Sequence, residues 1–314
     1  MPAPAPPDAR GITETPRAVP GLTPTLRRRL RRLFRLLAGI NPALAGRLAL
    51  RLFLTPLRRR PDAADADFLA TARARRVSLA AGGSGVVRGS NPDGVVQVYE
   101  WPGRDPAVLV VHGWISHTAR LADLIRALHA TGHRVVAFDA PAHGHSTGRQ
   151  SDLESFEAAL TAVASACAPI GAVIGHSFGA LATARWLAGS APSSLRAAVL
   201  VGTPHNVAYL LESFTLALDL PASVVRHMRA LLQRRYGRPT EDYSALALAR
   251  QVRVPTLLVH GLTDEFIPPA HAEELHALLP HSELLQLPGL GHSTPLRDPA
   301  TIRRMADFVA ARLD

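Results

Sequence analysis

Lysine is absent from this chain of 314 residues, cysteine occurs once, and no apolar run reaches the roughly 18 residues that a membrane-spanning helix needs. The lone Cys167 rules out an intramolecular disulfide framework and fits a reducing compartment, where it reads as an inert core thiol. With no lysine, every basic residue is arginine; compositional bias accounts for this as readily as a demand for bidentate anion contacts, so no function is drawn from it. The longest apolar candidate, residues 36–57, is broken by Asn41, Pro42, Arg47 and Arg51, which argues against a spanning helix. The first 25 residues lack the apolar core of a secretory signal peptide, so export by that route is not expected and a cytoplasmic location is.

What is present indicates one globular body. Hydrophobic residues make up 47% of the chain and charged residues 19%, enough apolar surface to offset the conformational entropy of folding. The formal net charge of +10 is uneven. Residues 1–60 hold 13 arginines against Asp8 and Glu14, whereas residues 61–314 hold 22 arginines against 23 acids. A neutral body therefore follows a basic arm.

Residues 1–22 are rich in proline and lack periodicity, which predicts a flexible tail. Residues 23–60 read as a basic amphipathic arm: Leu26, Leu30, Leu33, Phe34 and Leu37 share one helical face, opposite Arg27, Arg28, Arg31, Arg32 and Arg35. A second helix is expected to start after Asn41 and end near Pro56. Such an arm can lie on an anionic lipid surface, or pack its leucines on the body or another subunit and solvate its arginines. Nucleic acid is the weaker reading, because base-reading aromatic and polar groups are lacking.

Residues 61–314 alternate β-type runs with helical ones, the pattern of parallel strands joined by crossover helices. Strand candidates at 77–87 and 95–101 precede AVLVVHG, HRVVAFD, GAVIGHS, RAAVLVG and VPTLLVHG, each ending in a turn signal. Helical segments fall near 119–129, 151–166 and 180–187. Near-continuous apolar strands are buried on both faces, so the loops at their carboxyl ends should carry the site.

GAVIGHSFGA sets Gly175, His176, Ser177, Phe178 and Gly179 where a strand meets a helix, the setting that G-x-S-x-G requires to lift a serine hydroxyl above a sheet. A serine hydroxyl needs an adjacent base whose imidazole is oriented by an acid. Asp264 follows the strand VPTLLVHG, with Glu265 its nearest rival. His292 follows a short strand candidate at 284–287, while His176 and His112 are rivals better read as packing or hydrogen-bonding groups. In VLVVHGW, the backbone N–H of Trp114 is a candidate donor to an oxyanion together with that of Phe178, the bland alternative being a strand end with an aromatic plug. Asp139, His143 and His145 suggest a zinc site, but no further ligand is evident and the glycine and proline around them suggest a shaped loop, so no metal or cofactor is expected.

Taken together, HGW, DAPAHGHS, GHSFG, LTDEFIP and GLGHS make residues 77–314 resemble the α/β-hydrolase superfamily, in its esterase and lipase group. Ala142 departs from the more usual D-x-x-G-H-G-x-S form of the second motif. The resemblance implies a mostly parallel eight-stranded sheet flanked by helices, with a small helical cap inserted after the sixth strand at about 205–250. It also implies a serine hydrolase that cleaves carboxylic esters or related acyl substrates of small or medium size through an acyl-enzyme on Ser177. The rival reading is a membrane-surface or anionic-partner binding protein with an inactive hydrolase body.

Overall fold

The computed structural model describes residues 21, 23–79 and 94–314. The tail expected over 1–22 lies outside the described residues apart from Gly21, and so does most of the first strand candidate. In chain order the elements are α1 (Pro24–Ile40), α2 (Pro42–Phe53), α3 (Ala63–Ala70), β1 (Arg73–Ser78), β2 (Val95–Trp101), β3 (Arg104–Val111), α4 (Ala122–Ala130), β4 (His133–Asp139), α5 (Leu153–Ala166), β5 (Ile170–His176) and α6 (Phe178–Gly189). Then follow β6 (Ala197–Val201), α7 (Val207–Ala217), α8 (Ala222–Tyr236), α9 (Leu246–Ala249), β7 (Thr256–Gly261), α10 (Ala270–Leu278), β8 (Ser282–Leu287) and α11 (Pro299–Leu313). The first strand begins at Arg73, four residues before the candidate at Val77.

The eight strands form one sheet in the order β1-β2-β4-β3-β5-β6-β7-β8. β2 runs antiparallel to both β1 and β4, and all later pairings are parallel. This is the mostly parallel sheet expected from the sequence. Val110 and Val173, for example, have neighbours on both sides in the sheet and are buried, as apolar central strands require. One face packs against α5 and α6 through Phe156, Leu160 and Leu181, the other against α4 and α11 through Leu124, Met305 and Phe308. Because β3, β5, β6, β7 and β8 are parallel, their carboxyl ends meet along one edge.

Above that edge the insert between β6 and β7 forms α7, α8 and α9. Asn206 caps α7 by accepting the Tyr209 amide at 2.7 Å, and Gly237 ends α8 in the left-handed conformation that glycine adopts without steric cost. The insert does not stand alone. Phe34, Ala45, Ala49, Leu50 and Leu54 of the arm share a separate core with Leu211, Phe214, Val224, Met228 and Leu232 of the insert. Asn41 joins the two arm helices: its amide donates to Leu37 O at the end of α1, and its side chain accepts the Leu44 amide at the start of α2.

The helical face read from the sequence needs correction. Leu30, Phe34 and Leu37 turn inward, but Leu33 is exposed and Arg31 is half-buried, its Nε donating to Ala217 O at 3.1 Å. No helix among the described residues is long and apolar enough to cross a membrane.

Candidate active site

Ser177 occupies the turn between β5 and α6 with φ 54° and ψ −121°, a backbone region that a side chain tolerates only under constraint. The constraint comes from both sides: the Ser177 amide donates to Val201 O on the neighbouring strand, and its carbonyl accepts the first turn of α6 from Leu181. Gly179 is needed for close approach, since a Cβ there would lie 2.3 Å from His112 O. The amino end of α6, with its partial positive charge, thereby sits at the serine.

His292 Nε2 lies 2.8 Å from Ser177 Oγ, and its Nδ1 lies 2.6 Å from Asp264 Oδ2. Three residues spread over 115 positions thus form one continuous hydrogen-bonded relay. Burial opposes ionisation of Asp264, yet the bond to His292, the histidine's charge and the amides of Ile267 and Phe266 outweigh it and hold the carboxyl below its usual range. An ionised Asp264 requires a donor at Nδ1, which leaves Nε2 free to accept the serine proton. Space for the imidazole is supplied by Gly202, at φ 58°, where a Cβ would come within 3.2 Å of the ring. The sequence marked Gly202 only as a turn signal at the end of β6.

The rivals occupy different stations. Glu265 reaches the backbone of His292, accepting its amide at 3.1 Å, and not the ring. His176 is buried beside the His292 ring and its Nε2 donates to His292 O at 3.2 Å; burial, then the neighbouring His292 charge, push its pKa down to about 3. His112 donates from Nδ1 to Gly113 O and accepts the Ala140 amide at Nε2, fixing two loops at once.

A Cβ at Gly113 would lie 3.0 Å from Ser177 Cβ, so the turn carrying Trp114 runs directly beside the serine. Neither the Trp114 nor the Phe178 backbone amide has an acceptor among the described residues. Trp114 and Phe178 also meet edge to face, with ring centroids 5.2 Å apart. The next residue, Ile115, holds a positive φ of 53°, and its amide donates to His143 Nε2. Burial, then the charge of His112, keep His143 well below its ordinary pKa, so it stays a neutral acceptor. This supporting role was not legible in the sequence, where His143 stood out only as a ligand candidate. Asp139 places its two oxygens on the amides of Thr118 and His145, and among the described residues no group of three such side chains could hold a metal ion. Ala142 adopts φ 64°, the left-handed conformation that explains why glycine is usual at that position.

Above Ser177 and His292 opens a cavity of about 180 Å³. Its floor includes Trp114 and Phe178, and one wall comes from the insert with Leu210 and Phe214. A third part comes from the arm, through Leu26, Leu52, Phe53 and Leu57, whose place at a pocket no local pattern signals. Tyr209 and Tyr236 close the frame, donating to Phe266 O at 2.7 Å and to Asp152 Oδ2 at 2.5 Å.

Comparison with known proteins agrees with this architecture. Residues 103–242 match the family described as serine aminopeptidase, S33. The chain is 29% identical over 231 residues to the polyketide synthase ThaQ of Burkholderia thailandensis, covering 61% of this chain but only 11% of that protein. It is also 29% identical over 231 residues to the pimeloyl-(acyl-carrier protein) methyl ester esterase of Xanthomonas axonopodis pv. citri, covering 61% of this chain and 89% of that one. Among solved structures, the esterase Pf2001 of Pyrococcus furiosus superposes with a TM-score of 0.60 at 18% identity, covering 83% of this chain and 98% of that one. The chain has the α/β-hydrolase fold, with an eight-stranded, mostly parallel sheet flanked by helices.

Proposed function

We propose that the protein is a hydrolase that cleaves carboxylic esters, or closely related acyl substrates, through an acyl-enzyme on Ser177. The observation that carries this reading is the relay from Ser177 Oγ through His292 to Asp264, with bonds of 2.8 and 2.6 Å, at the floor of an apolar cavity. As Ser177 Oγ attacks the acyl carbon, His292 Nε2 takes its proton, and the ring, now charged, is stabilised by Asp264. The negative charge that develops on the carbonyl oxygen is met by the amides of Trp114 and Phe178. His292 then protonates the departing alcohol, and a water activated by the same histidine hydrolyses the acyl-enzyme.

Thioesters, amides and lactones call on the same groups, so the fold does not choose among them. Esters are favoured because their leaving groups depart readily, and the esterases among the similar proteins point the same way. The cavity lining favours an aliphatic or aromatic acyl group of small to medium size. A complete relay with an open cavity argues against the rival reading of an inactive body.

Hydrolysis of p-nitrophenyl esters of graded acyl length, run beside fluorophosphonate labelling, tests the proposal. Wild type should turn over and take the label, and Ser177→Ala should lose both, with kcat falling by at least about four orders of magnitude. A folded wild type that neither turns over any of the esters nor takes the label would remove the basis of the proposal.

A further inference from the structure

The outer face of the arm has no part in the chemistry above, yet it carries most of the exposed large apolar side chains among the described residues. Nine large apolar side chains are exposed among the described residues, and seven of them lie between Leu26 and Leu57. Leu36 and Ile40 are 70% and 83% exposed. Leu26, Leu33 and Ile40 repeat every seventh position and form a stripe on α1, distinct from the stripe of Leu30, Phe34 and Leu37 that packs on the insert. Leu44 and Leu48 add exposed leucines on α2.

Along the arm itself the charge has one sign, and the insert adds Asp219, which pairs with Arg35. Between Thr23 and Pro61 there are eleven arginines and no acid, and Arg29, Arg32, Arg47 and Arg51 are exposed. Hydrocarbon that protrudes from a cationic surface is satisfied where an apolar medium lies just beneath a layer of anionic groups. Nucleic acid supplies the anions without the hydrocarbon. A second copy of this chain, docked by two-fold symmetry, would set arginine against arginine.

We propose that the outer face of α1 and α2 docks on an anionic lipid bilayer, and that the cavity opens toward that bilayer so that its acyl substrate enters from the membrane. Leu26 and Leu57 carry the second half of the proposal: both line the cavity and both are more than one-third exposed, so its rim lies on the arm. That half rests on the ester-hydrolase reading, whereas docking itself does not.

The test is co-sedimentation of the full chain with phosphatidylcholine vesicles, alone or with about 30 mol % phosphatidylglycerol, with a soluble butyrate ester assayed in parallel. Wild type should bind the anionic vesicles at least about tenfold more tightly than the neutral ones, and added salt should weaken binding. The triple variant Leu33→Glu, Leu36→Glu, Ile40→Glu alters no residue of the cavity or relay. It should lose about tenfold or more in vesicle binding while keeping soluble-ester turnover within about twofold. Unchanged binding by this variant, or a wild type that stays in the supernatant with both vesicle types, overturns docking. So does a stable wild-type dimer that the variant breaks, since the face would then be an interface between copies. Wild-type entry from the membrane predicts faster turnover of a long-chain ester presented in anionic vesicles than in neutral ones, and equal rates overturn that half. Ser177→Ala should bind vesicles like wild type while losing ester turnover, and a wild type that binds vesicles yet turns over no ester would count against the enzymatic reading alone.

Discussion

Two carboxylates stand side by side in the turn after β7, and only Asp264 touches the His292 ring. Asp264→Asn presents a donor or a neutral oxygen where the ring proton needs an anion, and kcat/KM should fall by about 10⁴. Glu265→Gln keeps an acceptor for the His292 amide and should cost less than about tenfold, measured on the same ester. The reverse ranking would remove Asp264 from the relay. Ser177 supplies the second residue-scale expectation. Its backbone, at φ 54° and ψ −121°, is comfortable only for glycine, so Ser177→Gly should be more stable to urea than Ser177→Ala by about 1 kcal/mol. Equal midpoints would mean that the turn carries no such strain. The strained serine was legible because G-x-S-x-G between a strand and a helix leaves few other geometries. The station of Glu265 was not, because adjacent acids in a turn differ only in the direction their side chains take.

At the level of the element, α1 shows what periodicity can and cannot disclose. The spacing of its leucines identified an amphipathic helix, and a second helix was expected to start after Asn41. Which of two adjacent apolar stripes faces inward depends on the shape of α7 and α8, some 180 positions away, and no local signal carries that. The difference is measurable. Phe34→Ala removes a ring buried among Leu211, Phe214 and their neighbours and should weaken the attachment of the arm by about 3 kcal/mol, seen as faster hydrogen exchange and proteolysis in α1. Leu36→Ala, at a largely exposed position of α1, should stay within about 0.5 kcal/mol of wild type. Equal effects would mean that the arm does not pack as described.

Across the whole molecule, half of the fourteen histidines act in the same direction. Seven of them (His112, His117, His143, His176, His205, His260 and His271) have lowered pKa values, each chiefly because burial penalises the charged ring. The unfolded chain binds protons that the fold refuses, so stability must fall as pH drops below about 6.5. His271, pushed down to about 2 by burial and then by the charge of His205, should alone account for about 2 kcal/mol of that loss at pH 5. Asp264 works in the same direction at lower pH: its carboxyl is held below the usual range, and the stability it contributes is lost as pH falls through its folded value. Urea unfolding at pH 8 and pH 5 should therefore show a smaller acid loss for His271→Asn than for wild type, by about 2 kcal/mol. An identical loss in both would show that His271 is not held neutral. Composition could count these histidines but not bury them; the sheet and the order of its motifs, by contrast, were legible because each strand ends in its own turn signal.

The shared core of arm and insert separates two kinds of information along the chain. The hydrogen-bonded relay is spelled out between positions 177 and 292, whereas a wall of the cavity is spelled out between 26 and 57, before the first strand begins. A single recombination crossover upstream of Arg73 would exchange that wall while leaving every member of the relay in place, so selectivity can be inherited as a cassette independently of reactivity.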